Sequence, residues 1–170
     1  MARFLHQVFQ PSHRRMYWLP LAFFFLLGLF TGGWIFLQTD PSYTSLMCLA
    51  MRSRVSIVGL AGVLLLPFLF STFAVSLGWP RLLFLIAYGK ACTFSCVALC
   101  VLTAYGTGGW LAFPLLLFSD VCILPCLWLF WVCHLGGQRC SWQSLASYMI
   151  AAAAVGSVDY YIISPFLACL

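Results

Sequence analysis

Residues 17–37 read YWLPLAFFFLLGLFTGGWIFL, a run of 21 residues with no charged side chain. At about 1.5 Å per helical residue, such a run reaches the roughly 30 Å needed to cross the hydrocarbon core of a bilayer. It ends on Trp34-Ile35-Phe36-Leu37 with no small-residue cleavage site, so it reads as a permanent helix and not as a removable secretory signal. The rest of the chain repeats the theme. Of 170 residues, 64% are hydrophobic and 6% are charged, which leaves too little polar surface to enclose a water-soluble core of this size. The alternation of a membrane β-barrel is absent, and helices are the other way to satisfy backbone groups inside lipid. The sequence therefore predicts an all-α polytopic membrane protein, one integral domain over residues 1–170. A basic leader covers residues 1–16, and about five spans follow near 17–37, 57–77, 82–105, 110–135 and 145–166.

Charge placement predicts orientation. Arg3, Arg14 and Arg15 precede the first run, Arg81 lies between the second and third, and Arg139 between the fourth and fifth. If every run crosses, these fall on one side, against Arg52 and Arg54 on the other. The bias of basic residues toward the cytoplasm then puts the amino terminus inside and the carboxyl terminus outside. The net charge of +5 sits mainly on ends and loops, where it meets anionic lipid headgroups; nucleic acid is not implied. Gly78-Trp79-Pro80-Arg81 and Gly106-Thr107-Gly108-Gly109 are turn-rich links that make neighbouring helices antiparallel. Between the first two spans, Leu46, Leu49 and Ala50 would share one face of a short amphipathic helix, with a plain loop as the alternative.

Within the spans, Gly28, Gly32 and Gly33, and again Gly59 and Gly62, have the small-residue spacing that lets helix backbones approach closely. Such faces serve packing inside one bundle or docking of another membrane protein. Pro67, Pro114 and Pro125 are expected to kink or break their helices and free carbonyls that need partners. Nine cysteines are present. Cys92, Cys96 and Cys100 fall at i, i+4, i+8, and Cys122 and Cys126 repeat the interval. Three thiols on one face suit a soft metal, yet no zinc-type spacing accompanies them, and a buried thiol packs as a small hydrophobe. No metal and no cofactor are implied. His6, His13 and His134 are expected at the interfaces.

Three ionisable side chains other than histidine fall inside the spans: Lys90, Asp120 and Asp159. Each costs several kcal/mol if left charged and alone at the bilayer centre. From helical rise they lie about 12, 20 and 24 Å from the cytoplasmic edge. Lys90 is therefore expected to pair with Asp120 by leaning along its helix, with Asp159 protonated or held by Ser164, Tyr160 or Tyr161. The pairing reads as a clip between helices; a proton or ion pathway, and Lys90 reaching the headgroups, are the alternatives. No enzyme is expected. HExxH, GxSxG, GxGD and glycine-rich phosphate loops are missing, and Ser119 and Asp120, adjacent on a helix, point about 100° apart and make no dyad.

Read end to end, the chain resembles a divergent, shortened member of the stage II sporulation protein M family of endospore-forming bacteria. The features that carry the resemblance are FFFLLGLFTGGWIF after a basic, His-containing leader; LLFLIAYGKACTFSCVALCVLTAYGTGGWLAF, with Gly89, Lys90, Gly106 and Gly109 aligned; and SVDYYIISPFLACL, whose Asp159, Tyr160 or Tyr161, Ile163, Ser164 and Pro165 look like the family's terminal motif. The family's polar Leu-Pro-Gln-Asn segment stands here as Leu117-Phe118-Ser119-Asp120. The resemblance implies a multi-pass protein of a bacterial cell membrane, a non-enzymatic scaffold in spore engulfment. Its partners would be peptidoglycan-remodelling hydrolases anchored in the membrane, the stage II sporulation proteins D and P, with a homo-oligomer left open. The alternative function is a small transporter or channel component built on the Lys90, Asp120 and Asp159 cluster.

Overall fold

The apolar runs form α1 (Pro11–Gln38), α2 (Ile57–Ser76), α3 (Leu82–Tyr105), α4 (Phe118–Leu135) and α5 (Trp142–Val158), and α5 continues into a π-helical turn over Asp159–Ile163. The structure is a computed structural model and describes residues 11–43, 45–46, 57–105, 117–136 and 142–163. Among the described residues, four stretches are long and apolar enough to cross a membrane, judged by length and composition: Tyr17–Gln38, Leu82–Thr103, Phe118–Leu135 and Trp142–Ile163. α2, with 20 residues, is uncharged throughout. The chain is thus a polytopic helical membrane protein.

Several boundaries differ from the sequence reading. α1 reaches back through the expected leader to Pro11 and therefore encloses Pro20. α4 runs from Phe118 with Asp120 in its first turn, and residues 110–116 of the expected span lie outside the described residues. α5 starts at Trp142, three residues before the expected 145, and leaves α-geometry at Asp159. Pro67 and Pro125 lie inside unbroken helices. Pro114, Gly106, Gly109, Ser164 and Pro165 lie outside the described residues, as does most of the expected amphipathic helix.

The α2–α3 hairpin follows directly from its sequence. Gly78 has φ +75°, a left-handed conformation that costs glycine nothing. It lets Gly78 N–H donate to Val75 O at 3.0 Å and Trp79 N–H to Ala74 O at 2.9 Å, closing α2 with a Schellman motif. Pro80 follows, and Leu82 N–H and Leu83 N–H bond the carbonyls of Trp79 and Pro80 as α3 begins.

α4 is the central helix, with half of its span buried. Ile123, Leu127, Phe130, Trp131, Val132 and Leu135 of α4 join Leu21 of α1, Leu64 and Phe68 of α2, Leu83 and Ala87 of α3, and Tyr148 and Ala152 of α5 in one core. Between lipid-covered helices apolar burial gives no net drive, because acyl chains are as apolar as leucine; close packing and hydrogen bonds must hold the bundle.

Close packing is densest between α1 and α3. A Cβ at Gly28 would lie 2.9 Å from Ala91 Cβ and overlap Tyr88 O, and one at Gly32 would lie 2.9 Å from Cys92 Cα and overlap Cys92 O. Cys96 Sγ–H donates to Gly32 O at 3.1 Å across the same crossing. Gly28, Gly32, Cys92 and Cys96 therefore form one backbone-to-backbone seam. Gly33 is different: its Cβ would make ordinary contacts at 3.6 Å with Leu99 and Ser95. Gly89, expected on a packing or partner face, has nothing within 4 Å of its would-be Cβ among the described residues.

Adjacent glycines should thus respond oppositely. Gly32→Ala drives a methyl into a carbonyl and is expected to cost about 1–3 kcal/mol or more, whereas Gly33→Ala should be nearly neutral. Thermal unfolding of the two variants in detergent checks this; equal melting temperatures would contradict the seam.

Candidate functional site

Asp120 sits in the first turn of α4, where the helix has free N–H groups and Leu117 supplies no side-chain cap. A carboxylate is favoured there by the helix dipole. Its partner is on α3: Lys90 Nζ donates to Asp120 Oδ1 at 2.5 Å, and both side chains are largely shielded. The lysine therefore turns inward to a charge on the neighbouring helix instead of reaching for the headgroups. Thr93 Oγ1, one turn further along α3, donates to Lys90 O at 2.9 Å, satisfying its own hydroxyl locally.

Ser119, one residue before Asp120, points elsewhere. Successive helical residues are turned by about 100°, so while Asp120 faces α3, Ser119 faces α5 and its hydroxyl donates to Asp159 Oδ2. Asp159 is thus held by Ser119, where the sequence pointed to Ser164, Tyr160 or Tyr161; Ser164 lies outside the described residues. The adjacency of Ser119 and Asp120 in sequence does not announce this role. The usable signal was the same 100° offset: if Asp120 meets α3, the hydroxyl beside it must meet a different helix.

Asp159 is also the first residue of the π-helical turn. Such turns are rare, occur singly, and are frequent at functional sites. Nothing in the periodicity of DYYII announces it, because five residues are too few to separate an α from a π period. Tyr160 is half-buried against the core, Tyr161 and Ile162 are exposed, and Ile163 is buried outside the main core.

A second set of polar links lies in the core. Trp131 Nε1–H donates to Ser71 Oγ at 2.8 Å, and Ser71 donates to Pro67 O at 2.6 Å. Tyr148 OH donates to Leu64 O at 2.8 Å while its ring stacks on Phe68, centroids 3.9 Å apart and planes within 7°. The tyrosine thus ties α5 to the backbone of α2 one turn before Pro67, an interhelical hydrogen bond inside the bundle. His134, expected at an interface, is buried in the last turn of α4; its Nδ1–H donates to Phe130 O at 2.8 Å and its ring stacks on Phe130. Among the described residues, no three His, Cys, Asp or Glu side chains gather into a possible metal site.

The arrangement joins α3, α4 and α5 through two neighbouring polar contacts. Ser119 lies beside the Asp159 carboxylate and is 5% exposed.

No protein-family model, curated protein or solved structure matches the chain.

The ion pair has a specific energetic signature. Lys90→Met strands a buried carboxylate and Asp120→Leu strands a buried ammonium, each costing about 3–5 kcal/mol, while the double variant, with no charge left to strand, recovers most of the loss. Unfolding of the four proteins in detergent measures this coupling; additive losses would show that the two groups do not meet.

Proposed function

We propose that the protein is a non-enzymatic scaffold of a bacterial cell membrane, with five spans and a cytoplasmic amino terminus. It would position membrane-anchored peptidoglycan hydrolases in the manner that its resemblance to the stage II sporulation protein M family implies. The observation that supports this most is the engagement of Lys90, Asp120, Ser119 and Asp159 with one another across α3, α4 and α5. These side chains are used to fasten helices, which is what a rigid platform requires. α2 counts as the fifth span in this reading: with Ile57–Ser76 it has 20 uncharged residues, about 30 Å of helix. The exposed faces of α1 carry Leu19, Phe23, Leu26, Phe30 and Trp34, a surface suited to lipid.

The test is affinity capture of the tagged protein from sporulating cells after in vivo cross-linking. A co-purifying cell-wall hydrolase, lost when the tagged protein is expressed outside sporulation, is the expected result; a hydrolase-free eluate contradicts the scaffold.

The π-helical turn at Asp159 favours a second reading, a small transporter or channel component, because an intramembrane carboxylate on a non-α turn is also the equipment of an ion or proton path. Proteoliposomes separate the two. Transport requires solute or proton flux that Asp120→Asn abolishes, whereas the scaffold predicts no such flux and a loss of Asp120→Asn protein abundance.

A further inference from the structure

α5 is fastened unevenly. In its first half Tyr148 is buried, bonds Leu64 O and stacks on Phe68, and Ala152 is buried beside it in the core, with Leu145 and Ala151 packed around them. Beyond Ala152 the helix presents half-buried Val155 and Gly156, exposed Ala153, Ala154, Ser157 and Val158, and then leaves α-geometry altogether. Among the described residues, its distal end meets the bundle through the Ser119–Asp159 hydrogen bond, through Tyr160, half-buried at the margin of the main core, and through Ile163, which is buried but not part of that core. Gly156, between the two fastenings, is the residue that stiffens a helix least, about 1 kcal/mol below alanine.

We propose that the segment from Gly156 to Ile163 is a strap that opens about Gly156 and is clasped shut by the hydroxyl of Ser119 on the carboxylate of Asp159. The ladder of contacts at Tyr148 keeps the first half of α5 docked while the strap moves. Opening withdraws Asp159 from α4 and uncovers Ser119, the residue next to the Lys90–Asp120 pair, so the polar part of the bundle gains a lateral entrance between α4 and α5. The strap does not depend on whether the protein is a scaffold or a carrier; either would use the entrance.

Local opening is read by amide hydrogen exchange. In the purified full-length protein in lipid nanodiscs, exchange followed by mass spectrometry should be at least roughly tenfold faster over residues 157–163 than over 145–153. Ser119→Ala should speed exchange over 157–163 by roughly a further tenfold, the factor that a lost hydrogen bond to a charged group sustains, and leave 145–153 unchanged. Ser119→Thr, which keeps the hydroxyl, should restore the wild-type rate, and Tyr148→Phe should act on 145–153 instead. A flat wild-type profile along α5 overturns the strap whatever the variants do. An equal effect of Ser119→Ala on both halves overturns the clasp.

Discussion

Lipid offers a charged side chain neither water nor counterion, and the consequence for this protein is concentrated in one contact, Lys90 Nζ on Asp120 Oδ1. An ammonium on α3 and a carboxylate on α4 must find each other or remain at a cost of several kcal/mol apiece. That requirement selects which helices are neighbours and fixes their heights relative to one another. Once Asp120 is committed to α3, the helical turn of one residue directs Ser119 toward α5, and Ser119 in turn holds Asp159. A single ion pair thereby sets the register of three helices, in a bundle whose apolar surfaces would pack nearly as well in other registers.

The other joints obey the same limitation. Because burying leucine against leucine gains little over leaving it against an acyl chain, the bundle relies on backbone proximity and on hydrogen bonds between helices. Gly28 and Gly32 let α1 approach α3 so closely that an added Cβ would overlap the carbonyls of Tyr88 and Cys92, and the Cys96 thiol adds a hydrogen bond to Gly32 O. Trp131 donates to Ser71 and Tyr148 to Leu64 O, tying α2 to α4 and α5. Other hydroxyls, such as those of Thr31 and Ser157, bond carbonyls one turn back.

Much of this could be read from the residues. Uncharged runs of about 20 residues dictate helices in lipid, and with so few ionisable groups inside them, Lys90 had few partners to choose from. Spacing marked Gly28 and Gly32 as small-residue positions, but could not separate them from Gly89, since which face of α3 meets α1 depends on the partner helix and not on α3 itself. Asp159's partner was missed by considering only residues near it in sequence, whereas Ser119 is 40 positions away. The π-helical turn has no signature at the level of composition.

The account stands on charge being neutralised inside the chain, and the sequence makes that directly measurable, because Lys90 is its only lysine and Asp40, Asp120 and Asp159 are its only acidic residues. Solid-state NMR of the protein in lipid bilayers, labelled with 15N-lysine and 13C-aspartate, reports the distance from the Lys90 ammonium to each carboxyl carbon. A strong dipolar contact to one aspartate, abolished by Asp120→Asn labelling-silent substitution and kept in Asp40→Asn, is the predicted result. A lysine signal with no carbon contact, in exchange with water at the headgroups, would contradict the ion pair and the helix arrangement built on it.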